Sequence, residues 1–455
     1  MQKSAVENDY LNMPRRPSGD LKHIPGDDGA LPILGDTVRF LTDYLGMSME
    51  KYQRYGRIFR NRSMLQHTVA LVGPEANELV LKDSERLFSS KKAWDPFLDR
   101  LFPNGLMLKD FADHKVNRRI LQGAFKKDVL ASYVDTMNGM IGDRLSQQAV
   151  DETLSFQALA KSMLLDVAAQ VFMGVAIGDE AQRINRAFVH AMEASLAVVK
   201  LPIPGTTWKK GLDGRRVLEQ FVEKHIASKR QTPGPDFFSQ FCQARDEDGN
   251  MLSDEAVRDH VIFLLFAAHD TTTSTLCSMI YLLAKHPEWQ DRLWQEMQAL
   301  GSDAPDFDQL AELSQAQYAM QETLRMYPPV PVIPRRTVRE TEIFGYRIPA
   351  NTSVGVSPLM THYLEEWWTE PRKFDPERFS PERAEHKRHF YQWLPFGGGS
   401  HKCIGLNFAE IQVKIVLFHL LKHFRIEVEP DYVMPYNPVP ISFPTDGLPV
   451  RFRRR

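Results

Sequence analysis

The sequence predicts a mostly α-helical protein with a small β component. Residues 154–175 repeat apolar side chains in helical rhythm. Residues 253–300 carry a much longer helical pattern that opens on Ser253, a residue type preferred at helix N-caps. Alternation typical of strands is confined to short runs, such as 57–62 and 67–72, which could pair as a hairpin.

Composition places the chain among ordinary globular proteins. The 455 residues are 43% hydrophobic and 25% charged, and a formal net charge of −2 gives no sign of nucleic-acid binding. Cys242, Cys277 and Cys403 stand at unrelated spacings, which excludes a disulfide framework and suits a reducing compartment. Residues 1–22 have no apolar run long enough for a signal peptide or membrane anchor. We expect a soluble, cytoplasmic protein with a disordered lead (1–22) and one domain (23–455), without a transmembrane anchor.

The first part of the chain mixes turns, the hairpin and an apolar loop. A lead-in rich in Pro and Gly at residues 24–35 precedes helices predicted at 38–55 and 74–82. Residues 88–107 are irregular but rich in large apolar side chains, and a loop of that kind must cover something. Those side chains include Trp94, Phe97, Leu101 and Phe102.

A charged helix and then two longer helices follow. In the helix predicted at 113–125, His114 and Arg118 are four residues apart and share one face, which is most often a solvated face. Helices are also predicted at 181–200 and 215–229. The apolar, proline-bearing connection between them could touch a membrane surface, but such a segment is more often the wall of a substrate channel.

The long pattern at 253–300 has polar residues in its middle. Residues 261–268 are apolar on every side, which places them in the core. The run at 269–275 is then polar, and Ser and Thr side chains compete for backbone hydrogen bonds and tend to bend helices. Because burying polar groups is costly, we expect Asp270 and Thr271 to belong to a functional site.

Two charged motifs lie further along the chain. Glu322 and Arg325 are three residues apart on a helix predicted at 318–326, and alone such a pair is usually exposed and contributes little. The run at 374–379 then supplies Arg378.

A glycine-rich loop precedes Cys403 and the start of an apolar helix. Gly397, Gly398 and Gly399 allow backbone conformations closed to other residues, and the positive end of the following helix favours a thiolate. A phosphate-binding loop would need a following Gly-Lys-Ser/Thr, which is absent from the sequence. His401 with Cys403 could be half a zinc site, but no second pair stands at ligand spacing. A lone cysteine is otherwise a small buried hydrophobe.

The order Phe-x-x-Gly-x-x-x-Cys-x-Gly, from Phe396 to Gly405, is more specific than these alternatives. It resembles the haem-binding signature of the cytochromes P450, which implies that Cys403 is the proximal ligand of the iron. The implied fold is a mostly α-helical prism around haem, with a small β-rich subdomain from the N-terminal strands, residues 335–337 and residues 352–356. The implied cofactor is haem b, with O₂ as co-substrate.

The resemblance also implies roles for residues outside the loop. His114, Arg118, Arg335 and His401 match positions that pair with the haem propionates, whereas the neighbouring Arg336 is expected to be solvated. The full predicted haem-contacting set is Cys403, His114, Arg118, Arg335, His401, Phe396, Gly399, Gly405 and Ala267.

The polar run and the charged motifs match the family as well. Asp270 and Thr271 match the acid and alcohol that deliver protons to oxygen, although Ala268 stands where Gly is usual. Glu322, Arg325 and Arg378 match a buried structural network beneath the haem loop.

The predicted reaction is mono-oxygenation of a lipophile, namely a fatty acid, a retinoid or other terpenoid, or a steroid. The segments implied at the substrate pocket are apolar, while Asp95, Asp99 and Arg100 are expected to turn outward. The predicted lining residues are Trp94, Phe97, Leu101, Phe102, Phe263, Ala267, Val330, Val332, Ile333, Ile441 and Phe443. Within the family, the chain looks most like the branch of retinoid hydroxylases and sterol demethylases.

No reductase-like segment is apparent, so electrons are expected from a separate ferredoxin/ferredoxin reductase-type donor. Lys402, Arg119, Lys126 and Lys127 could form a basic docking face for an acidic ferredoxin. Two alternatives remain open: a peroxide-driven peroxygenase on the same fold, and a haem sensor or carrier without turnover. Retention of Asp270 and Thr271 argues against both.

Overall fold

The computed structural model divides into two units, each assembled from separated parts of the chain. It describes residues 9–12, 19–31, 33–63, 66–176, 178–195, 197, 200–246 and 248–455. The sheet unit comprises Met1–Pro96, Gln321–Cys403 and Tyr436–Phe443. The helical unit comprises Phe97–Met320, Ile404–Pro435 and Pro444–Arg455.

Helices make up most of the described chain. In chain order the α-helices are α1 (Thr37–Thr42), α2 (Tyr44–Tyr55), α3 (Pro74–Lys82), α4 (Lys91–Leu98), α5 (Phe111–Leu121), α6 (Lys127–Ser146), α7 (Phe156–Met173), α8 (Asp179–Ser195), α9 (Thr207–Gln231), α10 (Phe237–Gln243), α11 (Asp254–Lys285), α12 (Pro287–Ala299), α13 (Phe307–Glu312), α14 (Ser314–Met326), α15 (Pro358–His362) and α16 (Leu406–His423).

The strands are short and fall into small sheets. In chain order they are β1 (Ile58–Ser63), β2 (Gln66–Leu71), β3 (Phe88–Ser89), β4 (Thr153–Ser155), β5 (Ile333–Thr337), β6 (Thr341–Ile343), β7 (Tyr346–Ile348), β8 (Ser353–Val356), β9 (Phe424–Glu427), β10 (Tyr436–Asn437), β11 (Phe443–Pro444) and β12 (Pro449–Arg454).

The sheet unit is built on a five-stranded sheet of order β1-β2-β8-β5-β3. β1 and β2 form the expected hairpin, with Arg60 opposite Val69. β2 and β8 are parallel, and the other neighbours in the sheet are antiparallel. Val69 and Val354 are directly paired and fully buried, so the sheet contributes its apolar face to the core of this unit.

The helical unit is organised along α11, the 32-residue helix at its centre. The Ser253 side chain accepts a hydrogen bond from the Ala256 backbone N–H (3.1 Å), as expected for an N-cap. Val261 and Ile262 are fully buried, because this stretch is apolar on every side. Within the described residues, no helix combines the length and apolar content needed to cross a lipid bilayer.

Several elements differ from the sequence prediction. Residues 88–107, expected to be irregular, contain two regular elements. β3 pairs with β5, and α4 forms with Pro96 inside the helix. In the predicted lead at 1–22, residues 1–8 and 13–18 lie outside the described residues, and Asp9–Asn12 forms one 3₁₀ turn. The end of the helix predicted at 181–200 also falls partly outside them, and α8 ends at Ser195.

Candidate functional site

The loop before Cys403 is closed by its own backbone. The Cys403 N–H donates to the Phe396 carbonyl (2.9 Å), and the Gly397 N–H donates to the Leu394 carbonyl (3.0 Å). A single 3₁₀ turn, Gly399–His401, lies between, and His401 is half-buried. These two overlapping turns thus fix the backbone that leads into the cysteine.

Gly399 explains why this loop needs glycine. Its φ is +63°, and a side-chain carbon at this position would lie 1.7 Å from the Leu81 carbonyl oxygen. The end of α3 therefore packs directly on the loop, at a distance that no other residue allows. Gly405, in contrast, has a φ of −89°, which any residue adopts.

The environments of the three cysteines separate a candidate ligand from two structural thiols. Cys242 and Cys277 are fully buried, and burial raises the pKa of their thiols to about 11 and about 12. Cys403 is exposed, at the end of a loop whose backbone is held by its own hydrogen bonds. A thiolate ligand for haem iron must be accessible and deprotonated, so the residues present fit a haem held through Cys403.

Glu322, Arg325 and Arg378 form the predicted network in the sheet unit. All three side chains are completely buried. Arg325 donates to both carboxylate oxygens of Glu322 (2.6 and 2.9 Å), and Arg378 Nε donates to Oε1 of Glu322 (3.1 Å). Arg378 also donates to Glu385 and to three backbone carbonyls within 369–373. These bonds compensate the charges for their loss of hydration.

His362, which the sequence analysis missed, links this network to the cysteine loop. Its Nδ1 lies 3.0 Å from the Arg325 carbonyl, and its Nε2 accepts from the Leu394 N–H (3.0 Å). Burial and the Arg325 charge lower the pKa of His362 to about 3, so the neutral ring is retained. Asn77 ties α3 to the segment before the loop by donating to the Tyr391 carbonyl (3.1 Å). A single histidine without a spaced partner gave no signal for this role.

The two neighbouring arginines of β5 are both buried, each about 5% exposed. Arg335 donates to the Pro334 carbonyl (2.9 Å). Arg336, expected to be solvated, donates instead to the Asn351 carbonyl (3.0 Å) and to Gln66 Oε1 (2.9 Å). That expectation was wrong, because the pairing of β5 with β8 brings acceptors from distant segments to Arg336.

In the helical unit, α5 presents the predicted propionate-binding pair. His114 is 2% exposed and Arg118 is half-buried one turn later on the same face. A buried histidine is unusual on a solvated helix face. The burial of His114 therefore argues against the interpretation of this face as merely charged and solvated.

Asp270 and Thr271 lie in mid-helix on α11. Thr271 Oγ1 donates to the Ala267 carbonyl (2.9 Å), and Ala267 is exposed although its helix is otherwise largely buried. Asp270 Oδ1 lies 2.9 Å from His269 Nδ1 and 3.9 Å from Lys161 Nζ. Burial raises the pKa of Asp270, but the hydrogen bond and charge of His269 and the charge of Lys161 together lower it below its usual value.

The predicted pocket residues of the helical unit differ in exposure. Leu101 and Phe102 are fully buried, and the Phe102 ring centroid lies 4.4 Å from that of Phe266. Phe263 is 9% exposed, and Phe97 is 39% exposed. Leu101 and Phe102 are therefore closed to solvent, while Phe97 has an accessible surface.

In the sheet unit, the predicted pocket residues share partial exposure. The half-buried side chains are Trp94, Val330, Val332, Ile333, Ile441 and Phe443. Asp95 is held by Lys91 (3.1 Å), and Asp99 and Arg100, of the helical unit, are exposed as expected.

Comparisons with known proteins agree with the predicted family. A family model described as "Cytochrome P450" matches residues 25–448. "Putative cytochrome P450 136" of Mycobacterium tuberculosis is 38% identical over 96% of this chain and 90% of its own length. "Taxane 10-beta-hydroxylase" of Taxus cuspidata is 28% identical over 94% of this chain and 89% of its own length. The solved structure "Retinoic acid bound cyanobacterial CYP120A1" matches with a TM-score of 0.84 and 28% identity, covering 95% of this chain and 99% of that one. The chain therefore belongs to the cytochrome P450 family, the haem-thiolate monooxygenases.

Proposed function

We propose that this monooxygenase hydroxylates a bulky terpenoid-like or fatty-acyl lipophile, with electrons from a ferredoxin-type donor. The observation that carries the substrate class is the apolar, partly exposed character of the predicted pocket residues in each unit. Relatives named as a taxane hydroxylase and as a retinoic acid-bound protein support a bulky terpenoid or isoprenoid acid.

Haem supplies the binding and activation of O₂ when bound. The sulfur of Cys403 would hold the iron, and His114, Arg118, Arg335 and His401 would pair with the propionates as charge-assisted donors. The buried network around Glu322 would hold the backbone of the cysteine loop in place through His362.

Asp270 and Thr271 would handle protons. The Thr271 hydroxyl, anchored on the Ala267 carbonyl, keeps its oxygen lone pairs available to a water or a proton donor. The lowered pKa keeps Asp270 ionised at neutral pH, so its carboxylate can accept a proton and pass it on. Proton transfer by a positioned side chain contributes about 10²–10⁴-fold to a rate.

Affinity would come mainly from apolar burial. Each Å² of apolar surface removed from water contributes about 25 cal/mol, so a large hydrocarbon body binds without many hydrogen bonds. The charged groups near the predicted pocket are paired or exposed, as Asp95 is paired with Lys91. A small polar substrate would lose hydration there without gaining partners.

The donor proposal rests on exposed cations. Lys402, Arg119, Lys126 and Lys127 are all exposed, and Lys127 pairs with Asp308 (2.9 Å). Weaker electron transfer at high salt would support an acidic ferredoxin as the donor.

The substrate class is tested by the low-to-high-spin shift on titration with terpenoid acids, fatty acids, steroids and small polar compounds. We expect the shift with the lipids, and Ile333→Asp should weaken it while Val433→Asp, at a 75% exposed site, should not. A spin shift with small polar compounds alone would refute the proposal of a lipophilic substrate.

A second experiment compares turnover with a ferredoxin and its reductase against turnover with peroxide alone. It separates the monooxygenase from the peroxygenase, and turnover by neither route would indicate a sensor.

A further inference from the structure

The imidazole of His269 on α11 faces two hydrogen-bond acceptors at once. Its side chain is 4% exposed. Nδ1 lies 2.9 Å from Asp270 Oδ1, and Nε2 lies 3.3 Å from the Lys161 carbonyl oxygen on α7. A backbone carbonyl only accepts, and the ionised Asp270 carboxylate also only accepts.

A neutral imidazole carries one N–H and can therefore donate to one of these two oxygens. The imidazolium carries two N–H groups and satisfies both. We propose that His269 is a positioning residue that is held as an imidazolium, and that its ion pair with Asp270 keeps this carboxylate ionised and oriented for proton delivery. The inference rests on the role proposed above for Asp270.

His260, on the same helix, provides an internal contrast. It is similarly buried, and its Nε2 lies 2.9 Å from the Asn117 side-chain oxygen. Its Nδ1 is buried and has no hydrogen-bond partner within the part of the chain that the structure describes. Burial, with the charge of Lys109, lowers the pKa of His260 to about 4. Two buried histidines of one helix thus differ in the number of acceptors that their rings face.

Among the described residues, one further charge acts on Asp270. Lys161 Nζ lies 3.9 Å from Asp270 Oδ1, but its side chain is 47% exposed and solvent screens it. α8 presents an uncharged ring, Phe188, at 5.6 Å from the His269 ring and at 85° to it. His269 is therefore the buried counter-charge of Asp270. Without it, only the charge of Lys161 would oppose the rise in the carboxylate pKa that burial causes.

The charge on His269 is measured directly with ¹⁵N-labelled histidine in the holoenzyme, in its diamagnetic ferrous–CO form. The His269→Gln and His260→Gln variants assign the two rings by loss of signal, and His269→Asn provides a second assignment if the glutamine variant does not fold. At pH 7 we expect both nitrogens of His269 to be protonated and His260 to be a neutral tautomer. A neutral His269 at pH 7 would overturn the proposal.

The functional consequence is read from the pH profile of product formed per electron. Loss of a close opposite charge shifts a carboxylate by one or more pKa units, so the acid limb of the profile should move to higher pH by about one unit in His269→Gln. The limb should not move in His260→Gln. Superimposable profiles for wild type and His269→Gln would refute the positioning role. Unchanged product per electron in Asp270→Asn would instead refute the proton-delivery role of Asp270, while the ring signals still decide the charge of His269.

Discussion

Replacing Arg378 by Met should destabilise the sheet unit strongly. The side chain is completely buried and donates to Glu322, to Glu385 and to three backbone carbonyls within 369–373. Methionine fills much of the volume but removes the charge and one donor from each of those acceptors. Removing one partner of a buried ion pair costs about 3–5 kcal/mol, and we expect a loss of this size in the free energy of unfolding.

The assay is urea unfolding of the holoenzyme followed by far-UV circular dichroism. The matched control is Arg347→Met, because Arg347 pairs with Glu340 at 2.6 Å with side chains that are 70% and 52% exposed. Water replaces such a partner readily, so this variant should unfold close to wild type. If Arg378→Met unfolded at the same urea concentration as Arg347→Met, the network would not stabilise the unit as argued.

Further predictions concern the cysteine loop, the polar residues of α11 and the buried His362. Cys403→Ala should abolish the red-shifted Soret band of the ferrous–CO complex, whereas the same change at either buried cysteine should leave it. Thr271→Ala should still bind substrate but divert electrons to peroxide, and an unchanged yield of product per electron would contradict its role. Gly399→Ala should lose haem retention because of the Leu81 carbonyl, while Gly345→Ala, with similar φ but open space, should show only backbone strain. Burial lowers the pKa of His362 from its usual 6.5 to about 3 in the folded state, so the unfolded state binds a proton first as the pH falls. Stability is then intact above pH 6.5 and falls by about 1.4 kcal/mol per pH unit below it, and the pH dependence of the urea midpoint should be shallower in His362→Gln.

Local patterns predicted much of the fold. The stretch of α11 that is apolar on every side and its Ser253 cap depend only on residues close together in sequence. The structure confirms both. The mostly helical class with a small sheet is confirmed as well. The helix α4 was missed because a proline such as Pro96 usually indicates a break, whereas here it lies inside the helix.

The candidate site was predictable where its chemistry follows a spaced motif. Glu322 and Arg325 share a helical face, and the structure buries both together with Arg378. The burial of Arg336 and the bridge made by His362 depend on partners 15 or more residues away, such as Asn351 and Leu394. Sequence separation of that size hides a contact from any local pattern.

The link between Asn77 and Tyr391 has a consequence for how the enzyme is made. The two residues are 314 positions apart, so the hydrogen bond requires nearly the whole chain. During synthesis, α3 and the N-terminal strands emerge long before the segment that carries Cys403. Closing so long a loop costs entropy that only later contacts repay. Capture of haem is therefore expected to be a late, post-translational event, and a ribosome-bound chain stalled before residue 391 should not retain it.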